Sequence, residues 1–247
     1  MLDFYIPSPR GRTAATAGRH GDWVFFILEK LIRAFASQAG DYCDWTDFVA
    51  PVLDELNDGR GFVLLDRIPI EAISEQEATC VYWGIGVLLG TPVEQNIQGD
   101  FLYEVIDTGQ RVSDGARFSV TNAESTFHPD AAFADGPPEF VGFLCLREAR
   151  LGGDSQLVSA YSAHNILLAE ARDSLAFLYD NYLFDRRGQY RAGEEILKAA
   201  PIFRWNDIEL DTRYLHHYTT ESHRAADPLT RDQFNAVEKL KEIVQRP

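Results

Sequence analysis

Cysteine is scarce in this chain. Cys43, Cys80 and Cys145 are isolated thiols with no CxxC pair, which argues against a disulfide framework and for a reducing cytoplasm. Long apolar runs are missing too. None approaches the roughly 18 residues a membrane span needs, and the longest candidate, Trp23 to Leu28, runs directly into Glu29 and Lys30. The opening MLDFYIPSPRGR lacks the basic-then-apolar order of a secretory signal. Basic residues are in deficit, with 23 Lys plus Arg against 38 Asp plus Glu and a formal net charge of -15. That balance argues against binding a phosphate backbone, although it leaves room for a locally positive pocket. Glycine (18) and proline (11) are at ordinary levels, so collagen and low-complexity disorder are excluded. There is no GxGxxG after a strand, no Walker A loop and no HExxH, and no G-x-S-x-G elbow frames Ser159, Ser162 and His164. The aromatic residues are spread along the chain and read as core, not as a stacking platform for bases.

What is present is a patterned, acidic chain of 247 residues, enough for one domain with a substantial core. Residues 1–20 read as an irregular arm. Helical spacing follows from Asp22 to about Gly40, and again from Trp45 to Leu56. The run GFVLLDRIP (61–69) reads as a buried strand. Ser74 and Glu77 have capping-box spacing and open a helix that stops at Gly90-Thr91-Pro92. Between Gln98 and Ser159 the pattern becomes strand-like, at 102–106, 140–146 and 155–158, with glycine and proline between. Helical patterns return at 161–168 and 174–179, then a strand pair at 201–206 and 208–214. A closing amphipathic helix has Thr230 as its N-cap, with Phe234, Val237, Leu240 and Ile243 on one face. The expected fold is α+β, a single domain spanning 1–247.

Among six histidines, His128 has the most telling surroundings. In FHPD, His128 and Asp130 are two apart. On an extended strand they point to the same face, so an imidazole nitrogen and a carboxylate converge on one cation. One nitrogen plus one hard oxygen, with positions left open, suits the two-histidine, one-carboxylate triad of Fe(II) sites. By itself the tripeptide reads first as a turn histidine with Asp130 capping a loop.

The wider stretch FHPDAAFADGPPEFVGFLCLREARLGGDSQLVSA, residues 127–160, resembles the taurine dioxygenase and clavaminate synthase-like family of Fe(II), 2-oxoglutarate-dependent oxygenases. The matching elements are His128-Pro129-Asp130, Pro137-Pro138 and Gly152-Gly153-Asp154-Ser155, in family order. GFVLLD with SEQEATCVYWGIGVLLGTP, and PIFRWNDIELDTRYLHHY followed by PLTRDQFNAVEKL, extend the resemblance over roughly residues 50–245. It implies a double-stranded β-helix (jelly roll) core flanked by helices. It also implies Fe(II) and 2-oxoglutarate as cofactors, O2 and a small polar metabolite, an amino acid or derivative, as substrates. Neither nucleic acid nor membrane is expected as a partner, and a homo-oligomer is compatible.

By matching position, His128 and Asp130 are two iron ligands, and Ser155 bonds a 2-oxoglutarate carboxylate or is a plain turn hydroxyl. Asn122, Glu124 and Phe133 flank the ligands where side chains can face substrate, with Tyr103 and Arg117 weaker candidates. Family halogenases lack the carboxylate, so Asp130 favours hydroxylation, or a related desaturation or cyclisation. The family's third ligand, a distal histidine, and its 2-oxoglutarate-binding arginine find no counterpart here, as they follow the helix that 229–244 resembles. A fragment, a non-catalytic relative that binds without turnover, or a ligand relocated to His216, His217 or His223 are the three explanations. The expectation is the first, with the jelly roll short of its last strands.

Overall fold

The computed structural model describes residues 46–65, 68–134, 136–225 and 227–246. The N-terminal arm, the helix expected from Asp22 and Cys43 lie outside the described residues. The chain groups into two compact units, one holding described residues up to Pro92 together with Gly142–Gly153, the other Val93–Val141 and Asp154 onward.

In the first unit, helix α1 (Thr46–Asn57) buries Val49, Val52 and Leu56. Helix α2 (Glu75–Leu89) starts where its capping box requires. The Ser74 hydroxyl accepts the Glu77 N–H, and the Glu77 carboxylate accepts the Ser74 N–H at 2.7 Å. Ala78, Val81 and Ile85 form its buried face, and the Tyr82 hydroxyl donates to the Gly142 carbonyl. Residues 62–65, expected as a buried strand, are extended but form no ladder, and Leu64 is 88% exposed. A short apolar run becomes a strand only when another strand takes its N–H and C=O groups. Cys80 and Cys145 are free thiols.

The second unit carries the larger core. Helices α3 (Ala160–Glu170) and α4 (Arg172–Phe177) are separated by the single residue Ala171, whose backbone leaves the helical region. Two antiparallel hairpins follow. Strand β1 (Asn181–Asp185) pairs with β2 (Leu197–Pro201) in the register Tyr182↔Ala200 and Phe184↔Lys198. Alternation sends Tyr182 and Phe184 into the core. Strand β3 (Phe203–Trp205) pairs with β4 (Leu210–Thr212), and Arg204 meets Asp211 across the pair. Their turn is built by Asn206, whose side-chain oxygen accepts the N–H groups of Ile208 and Glu209. The β3–β4 pair lies inside the span read from the sequence; the β1–β2 hairpin and helix α5 (His216–Ala225) do not appear in that reading.

Helix α6 (Arg231–Val244) opens on the expected Thr230 cap, completed into a box by Gln233. Its buried stripe is Ala236, Val237, Leu240, Ile243 and Val244, whereas Phe234 is 45% exposed. At 100° per residue Phe234 sits about 120° from the centre of that stripe, which is why Ala236 takes the place expected for it. One core joins α3, α4, α6 and both hairpins, with Ala132 buried in it and Phe127 and Phe133 packed against it. The strand-like stretches at 102–106, 140–146 and 155–158 form no ladder among the described residues. Two backbone hydrogen bonds, Ile106 N–H to Ser119 C=O and Thr108 N–H to Val120 C=O, tie one of them down. No helix among the described residues is long and apolar enough to cross a membrane.

Truncating Leu240 should cost about 2–5 kcal/mol, because it empties a filled core position. Phe234→Ala should cost about 1 kcal/mol, half the ring being already in water. Urea denaturation of the two variants checks the assignment of faces.

Candidate metal-binding loop

His128 and Asp130 belong to a loop rather than to the strand expected for them. Proline explains how they converge without a ladder. Pro129 is buried, its ring fixes its own φ, and it biases His128 toward extended backbone. The chain then turns sharply at Ala131, which adopts φ 53°, and closes with the Ala134 N–H on the Ala131 carbonyl at 2.8 Å. A left-handed alanine is an unfavoured conformation that surrounding contacts must hold.

Those contacts come from the core. Phe127, Ala132 and Phe133 anchor the loop on both sides of the histidine. Beneath it lies Arg213, 6% exposed, whose Nη1 donates to the Ala132 carbonyl at 2.8 Å and to the Ala134 carbonyl. Its backbone N–H donates to the Ile202 carbonyl at 2.8 Å. Arg213 directly follows β4, so the second hairpin fixes where the His128 loop can be held. Nothing in the sequence motif marks this residue.

The loop sets the tautomer of His128. Its Nδ1 stands 2.6 Å from the Thr126 carbonyl oxygen and 3.3 Å from the Ser125 hydroxyl. A carbonyl only accepts, so Nδ1 carries a proton, which in the neutral ring leaves the lone pair on Nε2. That lone pair faces the Asp130 carboxylate, with Nε2 and Oδ1 3.7 Å apart. The gap is too long for a hydrogen bond. Two ligands bonded to one cation at about 2.1 Å each can stand no more than about 4.2 Å apart, and this separation falls inside that limit. A ligating histidine held through its other nitrogen by a carbonyl is the usual support of a metal site. The pair is accessible, His128 being 20% and Asp130 41% exposed at the side chain.

Only two donors meet here. Among the described residues no group of three or more His, Cys, Asp or Glu side chains is placed to hold a metal. His223 is committed elsewhere. Its Nδ1 donates to the Asp227 carbonyl at 2.6 Å and its Nε2 accepts the Leu183 N–H at 2.8 Å, so both nitrogens brace backbone. His216 pairs with Glu238 at 2.5 Å, tying α5 to α6. His217 packs edge-on against Phe118 and lines a cleft that contains neither His128 nor Asp130. His164 bonds the Tyr179 hydroxyl at 2.9 Å, and burial holds its pKa below the ordinary histidine value.

The remaining candidates are dispersed. Ser155 lies on an exposed stretch after Gly152 and Gly153, which turn the chain with φ 69° and 81°, values that favour glycine. Asn122 and Glu124 are exposed, and Phe133 is partly buried against the core. The Arg117 guanidinium sits 4.9 Å from the centre of the Tyr103 ring, pairing those two residues with each other.

Residues 29–247 match the family model described as taurine catabolism dioxygenase TauD, TfdA family, and the chain belongs to that family. It is 30% identical over 203 residues to FR-33289 synthase of Streptomyces rubellomurinus (strain ATCC 31215), covering 81% of this chain and 58% of that protein. A second relative is 3-((Z)-2-isocyanoethenyl)-1H-indole synthase of Fischerella ambigua (strain UTEX 1903), 32% identical over 98 residues, 39% of this chain and 29% of that one. The chain therefore spans little more than half the length of the first relative.

Replacing His223 by alanine strands the Leu183 N–H and the Asp227 carbonyl, and should destabilise the protein by about 2–4 kcal/mol. His223→Gln should recover part of that loss. Equilibrium unfolding of both variants distinguishes a brace from a metal ligand.

Proposed function

We propose that the chain acts as an Fe(II)- and 2-oxoglutarate-dependent oxygenase that hydroxylates, desaturates or cyclises a small polar metabolite of the amino-acid class. The observation that carries this reading is the His128–Asp130 pair: an imidazole whose Nδ1 proton is held by the Thr126 carbonyl and whose Nε2 faces a carboxylate oxygen 3.7 Å away. Membership of the family supports the reaction class, and both relatives are named as synthases. In this reading the described hairpins are part of a jelly roll.

His128 Nε2 and Asp130 Oδ1 would hold the metal. The bound iron and 2-oxoglutarate would supply activation of O2 for oxidation of a substrate C–H bond. The protein's own share is positional. Thr126 holds the imidazole tautomer, Pro129 and Ala131 set the angle between the ligands, and Arg213 pins the loop to the core. Ser155 is assigned to a 2-oxoglutarate carboxylate, and Asn122, Glu124 and Phe133 to the substrate side. The two-donor count among the described residues favours a second reading, a family member that binds a ligand or partner without turnover.

Anaerobic addition of Fe(II) and 2-oxoglutarate separates the two. The oxygenase reading expects a weak visible charge-transfer band and O2-dependent succinate release, both abolished by Asp130→Ala. No band with the native chain favours the binding reading, and undiminished succinate from Asp130→Ala sinks the assignment of the site. Arg213→Lys replaces a two-carbonyl fork by a point charge. It should weaken Fe(II) binding about 10- to 100-fold, measured by metal titration.

A further inference from the structure

A cleft of about 470 Å³ opens in the second unit where the Val112–Asp114 turn, the end of the β1–β2 hairpin and helix α5 meet. Arg187, just past β1, forms part of its wall. Its side chain is 9% exposed. Asp185 accepts the Arg187 backbone N–H at 2.7 Å, while its other oxygen stands 3.6 Å from Nε, beyond hydrogen-bond range. The Tyr218 ring lies 4.1 Å from the guanidinium carbon. These contacts stabilise the charge without using its donors. Nε is buried with no hydrogen-bond partner, and among the described residues the guanidinium donates no hydrogen bond.

Arginine stays protonated and carries five N–H donors, so burying it without an acceptor is unfavourable until a partner arrives. Arg213, equally buried, shows the ordinary solution: it donates to two carbonyls. We propose that the cleft is a binding site for a small ligand with one oxyanion head, a carboxylate or phosphoryl group, that takes paired N–H groups from Arg187. Val112, Ile196 and Leu197 offer an apolar wall for a carbon skeleton, while Asp185 and Glu221 disfavour a second negative charge. Neither the metal nor the His128 loop is required, so this site goes beyond the oxygenase reading.

The test is titration of the full chain, in EDTA, with acetate and separately with inorganic phosphate. Amide NMR shifts at Ser113, Arg187 and Glu221 report on the cleft. Saturable shifts are expected at those positions. Arg187→Met should weaken binding about tenfold or more. Ser113→Glu, which adds a negative charge at an exposed position on the rim, should weaken it about three- to tenfold and reports even if the arginine variant fails to fold. His128→Ala should leave binding unchanged. Saturation by acetate alone assigns a carboxylate ligand, by phosphate alone a phosphoryl one, and by both the shared oxyanion chemistry. No saturable shift with either probe, shifts that neither cleft variant moves, or loss of binding in His128→Ala overturns the proposal.

Discussion

The buried guanidinium of Arg213 is the constraint on which the candidate site depends. It follows β4, hydrogen-bonds through its backbone to Ile202, and reaches two carbonyls of the loop that carries His128 and Asp130. Burying a charge is costly unless its donors are used, and here satisfying the charge fixes the loop. The left-handed Ala131, the tautomer of His128 and the 3.7 Å approach of His128 Nε2 to Asp130 Oδ1 all follow from holding residues 126–134 in one conformation. Helix α6 is a second layer of the same arrangement, because its buried stripe and the loop residue Ala132 share one core.

Much of this was readable from residue order. The Ser74–Glu77 capping box and the Thr230 cap were, because such patterns specify local hydrogen bonds that no tertiary contact needs to supply; that Gln233 completes a second box emerged only from the structure. The pair of strands at 201–206 and 208–214 was legible too, although Asn206, read as strand, instead builds the turn between them. The strand expected at 61–69 did not form over 62–65, because a ladder depends on a partner elsewhere in the chain. Hairpin β1–β2 was missed because LKAAP carries little strand propensity and its pairing rests on the alternation of Tyr182 and Phe184. For the candidate site, the pairing of His128 with Asp130 was legible in the tripeptide and its motif neighbours. The reason for their convergence was not: it is a proline-led turn instead of strand alternation, and its anchor lies about 80 residues downstream, beyond the reach of any local pattern.

The histidines divide by what their nitrogens do. His223 spends both on backbone and His216 joins two helices, so they serve as cross-ties of the fold. His128 has one nitrogen locked by a carbonyl and the other turned to a carboxylate at more than bonding distance. The two buried arginines divide in the same way. Arg213 is spent on structure, and Arg187 keeps its donors in reserve beside a cleft.

The link from Arg213 to the loop also works in reverse. A cation that binds His128 and Asp130 only in this loop conformation favours every contact that conformation requires, including the carbonyl fork and the β3–β4 hairpin behind it. Stability of the second unit and occupancy of the loop are thermodynamically linked, so occupancy adds to folding free energy as RT ln(1 + [L]/Kd), about 2.7 kcal/mol at a hundredfold excess over Kd. Metal availability would then act on the lifetime of the folded chain as well as on its chemistry.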